Sequence, residues 1–399
     1  MNTANTVYYI GNFDKPEFNA AGKRVYGNAL IFEKIGYRVI MVGKSKDKSL
    51  VNIPEKYSKS ILFYSFPNYQ LVNTSAFYKF FEMIVAKEGK PEAIVQYGSP
   101  SIALFNRTII NYGKKIGCPV VADVVDWLPP GGSNILFNAI KAIDTYLKNA
   151  VFNTKSTGII AISTYLFNYY KKHGCHNVII IPPIVEYYKK NTYIRDDNIV
   201  NVVYAGVPFR LGRKVNSPKE VKDRLDLAIE GLVGIIDRNF SVLFDIYGIT
   251  EDEYLTAYPK HKTLINGTKN RVVFHGKQPM AVAQEAINKA DFTILLRNVS
   301  RATSAGFPTK VVESLACGTP VITTDTSDLR KYINQNENGF YVKIDTPKTN
   351  LSKQLAEVIS FYIEHKEEIK ESCYREQLFV PDRHRDLLLE FLSGIRGME

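Results

Sequence analysis

Two parallel, doubly wound α/β domains are what this sequence predicts, and three observations predict them. Short apolar runs alternate with segments of helical periodicity along most of the chain. The alternation is interrupted once, by the polar, aperiodic stretch Tyr187–Asn198, and then restarts. At 399 residues the chain exceeds what one ordinary core organises, so two or three domains are expected. The boundaries read as 1–190 and 198–378, with a terminal helical segment, 381–399, crossing back to the first domain.

The first unit of the pattern sets the chirality of the rest. Val7–Ile10 is an apolar run ending at Gly11. A loop carrying Ala20-Ala21-Gly22-Lys23 follows, then a helical stretch Val25–Ile35 closed by Gly36, then the strand Arg38–Val42. Strand, helix and strand in so short a span make a βαβ unit and therefore a parallel sheet. Strands are expected next at Ile61–Ser65, Ala93–Gln96, Pro119–Val125, Gly158–Ile162 and Asn177–Ile181. Helices are expected at Ser75–Ala86, Ser101–Ile116 and Ser163–His173. In the second domain, strands read at Val200–Tyr204, Ser241–Tyr247, Val272–His275, Phe292–Leu296, Val321–Thr323 and Gly339–Val342. Helices read at Asp223–Ile236, Glu251–Tyr258 and Met280–Lys289, and the tail Leu351–Phe391 is helical.

Composition narrows the function. Hydrophobic content of 45% with 23% charged residues describes a folded chain rather than a disordered one. Cys118, Cys175, Cys317 and Cys373 are scattered without metal-ligand spacing, which points to a reduced, intracellular protein with no zinc site. The chain enters a strand within a few residues, so no signal peptide is expected, and no apolar run is long enough to span a bilayer. A net charge of +11 suits phosphorylated small molecules, an anionic membrane surface or nucleic acid. The last fits least, because neither zinc-finger spacing nor an aromatic RNA-binding motif occurs.

Several stretches carry chemistry. Ser304–Thr324 reads as a Gly/Pro turn, a helix opening near Pro308, a second turn at Gly318-Thr-Pro320 and a buried strand. A helix entered through such a turn directs unpaired N–H groups at an anion. The bland reading, an ordinary helix–strand connection, is equally consistent with the local pattern. Asp126 sits where the strand Pro119–Val125 gives out before Pro129-Pro-Gly-Gly132, at the strand end where doubly wound sheets bind ligands. A turn or cap aspartate is the commoner fate of such a residue. In 134–152, Leu136, Ile140, Ile143, Leu147 and Val151 recur at helical spacing with Lys141 and Lys148 elsewhere. Core packing is the default for such a stripe; an interfacial helix on anionic lipid is the functional alternative. No Gly-x-Gly-x-x-Gly and no P-loop occurs.

Taken in order and spacing, the motifs of the second domain resemble the GT-B retaining glycosyltransferases of family 4, of the bacterial surface-polysaccharide type. They are Tyr204-Ala-Gly206, Lys222-Asp223 leading into Leu225–Glu230, Phe274-His-Gly276, Ala290-Asp291 before a strand ending at Arg297, and Gly306-Phe-Pro-Thr-Lys310 with Glu313 and Ala316-Cys-Gly-Thr-Pro-Val321. Ile160-Ala-Ile-Ser163 and Ile181-Pro-Pro183 add to the resemblance in the first domain. It implies two Rossmann-like domains facing across a cleft, and a nucleotide diphosphate sugar as donor. Glu313 would bind the ribose hydroxyls and Lys222 would neutralise the pyrophosphate. Gly306, Phe307 and Thr309 would offer backbone N–H groups, Gly276 would line the base, and Gly22 would admit the donor phosphate. Arg297, Arg301 or Lys310 would face the diphosphate, and Asp126 the acceptor or the transferred sugar.

The implied reaction is metal-independent transfer with retention, the leaving diphosphate taking the acceptor proton. No cofactor is implied, and no Asp-x-Asp occurs in the chain. The acceptor would be a glycan or lipid-linked sugar, handled by a cytoplasmic enzyme peripheral to the inner membrane face. Alternatives are a soluble acceptor, a catalytically silent nucleotide-sugar binder and, less favoured for want of cleft histidines, an epimerase of the same shape. The chain departs from the family pattern at Ala305, where the first of two paired glutamates is expected, and at Gly206-Val207, where a Gly-Arg pair is.

Overall fold

The computed structural model describes residues 5–44, 54–66, 74–98, 103–127, 135–188, 199–236, 241–344 and 350–396. The chain divides into two compact units. The N-terminal unit comprises Met1–Glu186 with Ser304–Phe307 and Phe379–Glu399; the C-terminal unit comprises Tyr187–Thr303 with Pro308–Leu378. Most of the stretch read as a linker, 189–198, and the break 129–132 lie outside the described residues.

The N-terminal unit runs β1 (Thr6–Gly11), α1 (Ala20–Lys34), β2 (Arg38–Lys44), β3 (Glu55–Lys56), β4 (Ile61–Phe66), α2 (Thr74–Glu88), β5 (Ala93–Tyr97), α3 (Ala103–Ile116), β6 (Val120–Val124), α4 (Ile135–Tyr146), a π-helical turn Leu147–Phe152, β7 (Gly158–Ala161), α5 (Thr164–Lys172) and β8 (Val178–Ile180). Its sheet has the order β3-β4-β2-β1-β5-β6-β7-β8 and is parallel except for the short edge strand β3. Strand order reverses between β1 and β5, whose last residues pair as Gly11 and Tyr97. β1, β5, β6 and β7 are buried along their whole length, which is why they read as continuous apolar runs rather than alternating ones.

The C-terminal unit runs β9 (Val200–Ala205), α6 (Leu225–Ile236), β10 (Val242–Tyr247), α7 (Glu251–Ala257), α8 (Lys262–Asn266), β11 (Val272–Gly276), α9 (Met280–Lys289), β12 (Phe292–Leu295), α10 (Arg301–Ala305), α11 (Thr309–Ala316), β13 (Val321–Thr323), β14 (Gly339–Tyr341) and α12 (Leu351–Arg375), with the last two residues of α10 belonging to the N-terminal unit. The sheet order is β11-β10-β9-β12-β13-β14, all parallel, with the reversal between β9 and β12. The final helix, α13 (Arg385–Arg396), belongs to the N-terminal unit, where Leu388, Phe391, Leu392 and Ile395 are buried.

Two local differences from the sequence reading have physical causes. α1 begins at Ala20, not Val25, because the Asn19 side chain accepts the Gly22 N–H and caps the helix five residues earlier. Gly22 is therefore in the first turn of a helix rather than in a loop. The stripe read as core in 134–152 divides. Leu136, Ile140 and Ile143 are exposed, with Tyr146 beside them, whereas Lys148 is buried. Leu136, Ile140 and Ile143 recur on the outward face of α4, and Lys148 continues the opposite face, on which Thr145 is also buried.

Candidate functional site

In open α/β sheets, ligands bind beyond the carboxyl ends of the strands where the strand order reverses. In the C-terminal unit that place is the end of β9 and β12. β9 delivers Tyr204 and then Gly206; β12 leads into Arg297. Arg297 is fixed by its backbone, its N–H donating to Thr324 Oγ1 at 2.9 Å and its carbonyl accepting from the same hydroxyl at 2.8 Å. The chain entering α6 is held alongside by the Arg224 N–H, which donates to the Leu296 carbonyl at 2.7 Å. That brings Asp223 under the strand ends.

Asp223 is the hub of a buried ion cluster. Its Oδ1 accepts from Arg297 Nε at 2.7 Å, and its Oδ2 accepts from Tyr204 OH at 2.8 Å and from Lys310 Nζ. Lys310 is the second residue of α11, and its ammonium also donates to Tyr204 OH at 2.8 Å and lies 4.4 Å from the centre of the Tyr204 ring. Burial alone would raise the Asp223 pKa, but Lys310 and then Arg297 outweigh it and hold the carboxyl well below the usual range. Burial lowers the Lys310 pKa, and Asp223 opposes that shift. The backbone beside the cluster is bare. Gly206, Gly248 and Gly276 end β9, β10 and β11 at φ of +145°, +103° and +65°. They are joined through Gly206 N–H to Tyr247 O at 2.8 Å and Gly248 N–H to Gly276 O at 2.7 Å. The arrangement presents fixed positive charge against glycine backbone, with the Lys310 side chain in the space that Gly206 leaves, which suits a diphosphate.

Of the residues expected at a donor site, Arg297, Lys310, Thr309, Glu313 and Gly276 lie in this unit, and the first two share the ion cluster. Glu313 is half-buried one turn along α11 from Thr309. Lys222 is exposed, and its charge acts on Lys310. Gly306 and Phe307 are buried in the N-terminal unit, where Phe307 meets Phe379 edge-on at 6.1 Å. Sequence reasoning gave no role to Asp223, Tyr204 or Gly248. The signal for Asp223 was a lone acid between two basic residues, Lys222 and Arg224, which reads equally well as an ordinary helix entry.

In the N-terminal unit, Asp126 is half-buried just beyond β6. Below it, at the heart of the sheet, Asp123 is fully buried. It accepts from Arg24 Nη2 at 2.9 Å, Tyr9 OH at 2.5 Å and Asn28 Nδ2 at 3.3 Å. Arg24 also donates to the Ile181 and Pro182 carbonyls at 2.7 and 2.6 Å. The network ties α1 to the Ile181-Pro-Pro183 segment, with Asn28 Oδ1 buried beside it and unpaired. The Gly22 N–H is taken by Asn19, and the space of its missing side chain is filled by the carbonyls of Asp14 and Lys15. The absence of a Cβ at Gly22 thus admits the chain's own backbone. Among the described residues, no group of three or more His, Cys, Asp or Glu side chains could hold a metal ion.

Two parallel sheets of this order place the chain in the GT-B class. A sucrose-phosphate synthase from Thermosynechococcus elongatus superposes with a TM-score of 0.66 at 14% identity, covering 99% of this chain and 100% of that one. The Anabaena protein HepE, in complex with UDP and glucose, gives 0.62 at 16% identity over 97% and 99%. WaaG, a glycosyltransferase involved in lipopolysaccharide biosynthesis, gives 0.58 at 14% identity over 96% and 99%. Within the chain, residues 221–375, the segment that carries Asp223, Arg297, Lys310 and Glu313, match the family model described as glycosyl transferases group 1. No curated protein sequence gives a significant match.

Proposed function

We propose that the protein is a retaining glycosyltransferase of family 4 that takes a nucleotide diphosphate sugar as donor. The observation that carries this reading is the pair of cations, Arg297 and Lys310, fixed beside the glycine strand ends where the strand order of the C-terminal sheet reverses. Fixed N–H and cationic donors stabilise the charge that develops on a departing diphosphate, each worth on the order of 10²-fold in rate. They do so without a metal ion. Glu313 holds the ribose hydroxyls through its two carboxylate oxygens. The leaving diphosphate takes the acceptor proton, and Asp126 serves the acceptor side. Support comes from the group 1 domain match and from HepE, whose structures hold UDP and UDP-glucose.

Incubating the protein with UDP-, GDP- and ADP-sugars and measuring diphosphate release tests the activity. Binding of a nucleotide-sugar with no release under any acceptor would favour the silent-binder reading instead. A Glu313→Ala variant is expected to lose nucleotide affinity; unchanged affinity refutes the ribose assignment.

The acceptor in this proposal is a glycan or lipid-linked sugar of a bacterial surface polysaccharide, met at the inner face of the membrane. No helix among the described residues is long and apolar enough to cross a bilayer. The exposed face of α4, with Leu136 at 70%, Ile140 at 58% and Ile143 at 60% exposure, supports peripheral contact, as does the net charge of +11. Sedimentation with anionic vesicles tests it. Wild type is expected to bind at low salt and an Ile140→Glu/Ile143→Glu variant to bind less; equal binding of the two removes α4 from the proposal.

A further inference from the structure

Lysine is a flexible cation, and a site that relies on one gains from having its ammonium held in place before the ligand arrives. Lys310 is held in this way. Two of its three N–H groups are committed, to Asp223 Oδ2 and to Tyr204 OH at 2.8 Å, and the third is available to a ligand. Tyr204 OH donates to the same Asp223 oxygen at 2.8 Å, so its lone pairs are turned toward Lys310. The other carboxylate oxygen is occupied by Arg297 at 2.7 Å. Gly206 leaves the space in which the ammonium sits, since a Cβ there would collide with Lys310 Cε and Nζ.

Exposure is graded across the cluster. The side chains of Asp223, Arg297 and Lys310 are 4%, 7% and 23% accessible. A ligand entering from solvent therefore reaches Lys310 first, with Asp223 behind it. One carboxylate set against two cations leaves the trio with net positive charge, and Lys222 adds to it. Asp223 thus lowers the mutual repulsion of Arg297 and Lys310 without cancelling the attraction for an anion.

We propose that Asp223 and Tyr204 are positioning residues that fix the Lys310 ammonium as the donor-diphosphate contact of the C-terminal unit. This rests on the nucleotide-sugar reading of the site and deepens it: the cation acting on the leaving group is Lys310, held by a carboxylate that never touches the substrate. The charged and titratable groups around Lys310 are Asp223, Arg297, Lys222 and the Tyr204 hydroxyl. Of these, Asp223 favours the protonated ammonium, whereas burial and the two cations disfavour it. Removing the Asp223 charge therefore makes Lys310 lose its proton at lower pH than in the wild type.

The test is calorimetric titration of the full chain with inorganic pyrophosphate and with UDP, from neutral to alkaline pH. The variants are Lys310→Met, Asp223→Asn and Tyr204→Phe. Lys310→Met is expected to weaken pyrophosphate binding by about tenfold or more, the worth of a charge-assisted hydrogen bond. Asp223→Asn is expected to bind at neutral pH and to lose affinity at lower pH than the wild type does. A purely structural role would lower the melting temperature and leave that pH profile in place. Should Asp223→Asn fail to fold, Tyr204→Phe carries the test, because it frees the Lys310 ammonium without unpairing two buried cations. It is expected to weaken pyrophosphate binding at neutral pH. If the wild type binds neither probe, the donor-site reading falls, and this inference with it. If the wild type binds and Lys310→Met does not, while Asp223→Asn and Tyr204→Phe match the wild type at every pH, the positioning roles are overturned and the donor site stands.

Discussion

Lys148 offers the sharpest single perturbation. Its side chain is buried at the first turn of the π-helical segment, and its ammonium donates to the Gly98 carbonyl at 2.9 Å. Burial lowers its pKa from 10.5 to about 8, against the opposing pull of Asp126 and Asp144. A lysine whose folded pKa lies below its unfolded value binds fewer protons folded than unfolded in the window between the two. Stability therefore rises as pH climbs from about 8 to 10.5, and the cost of the buried charge is fully present below that window. The shift corresponds to about 3 kcal/mol at neutral pH.

Lys148→Met keeps the volume and removes the charge. It also leaves the Gly98 carbonyl without its donor, a loss of about 1 kcal/mol, so a net gain of about 2 kcal/mol is expected. The chain's one tryptophan, Trp127, lies in the same unit against Tyr169, at 4.7 Å between ring centres, so its fluorescence follows that unit's unfolding. Urea unfolding of both proteins at neutral pH and near pH 10.5 is the assay, with terms common to the two cancelling in the difference. The gain should be present at neutral pH and give way to a loss of up to about 1 kcal/mol at the higher one, where only the lost Gly98 hydrogen bond remains. A variant less stable at neutral pH, or a difference independent of pH, would refute the argument.

Three further outcomes follow from the packing. Gly158→Ala places a Cβ 2.5 Å from Phe391 Cζ and 3.1 Å from Ile395 Cγ2, and should cost about 1–3 kcal/mol by overpacking against α13. A second change, Phe391→Leu, should recover part of that loss in a double-mutant cycle. Arg24→Met strands the buried Asp123 carboxylate and should cost about 3–5 kcal/mol in unfolding of the N-terminal unit; a loss under 1 kcal/mol would mean that Tyr9 and Asn28 suffice. Gly206→Ala must displace the Lys310 ammonium, so it should weaken pyrophosphate binding by about tenfold. In a Lys310→Met background it should add little, and full additivity would show that the two positions act separately.

The fold was legible because fully buried parallel strands write themselves as apolar runs, and because glycines such as Gly36 and Gly117 mark where helices stop. The site was legible in part. Arg297, Lys310 and Glu313 stand out as charged residues at the end of an apolar strand and along a short helix. Asp223 did not, because what distinguishes it is burial among partners 74 and 87 positions away in the chain, and no local pattern encodes that. Lys148 was misplaced for a related reason. Periodicity finds the apolar face of 134–152 but not which face packs inward, and the face that packs inward is the opposite one, with Thr145 and Lys148. That Gly22 meets the chain's own carbonyls was not legible either, since such a glycine has no distinguishing neighbours in sequence.

Ala305 is the departure from the paired-glutamate pattern, and the structure shows how the position is built. Its side chain is fully buried, and its carbonyl accepts from Ser163 Oγ at 2.6 Å within the N-terminal unit. Position 305 is thus used through its backbone. A glutamate introduced into the same packing would be desolvated, at a cost of several kcal/mol unless a cation met it. Nor does its absence leave the cations of the C-terminal unit without a counter-charge, because Asp223 supplies one at hydrogen-bond distance from Arg297 and Lys310. In the nucleotide-sugar proposal, the site then depends less on an acid at 305 than on whether Arg297 and Lys310 keep their charge and their place. Both depend on one carboxylate, at 223, that the paired-glutamate pattern does not include.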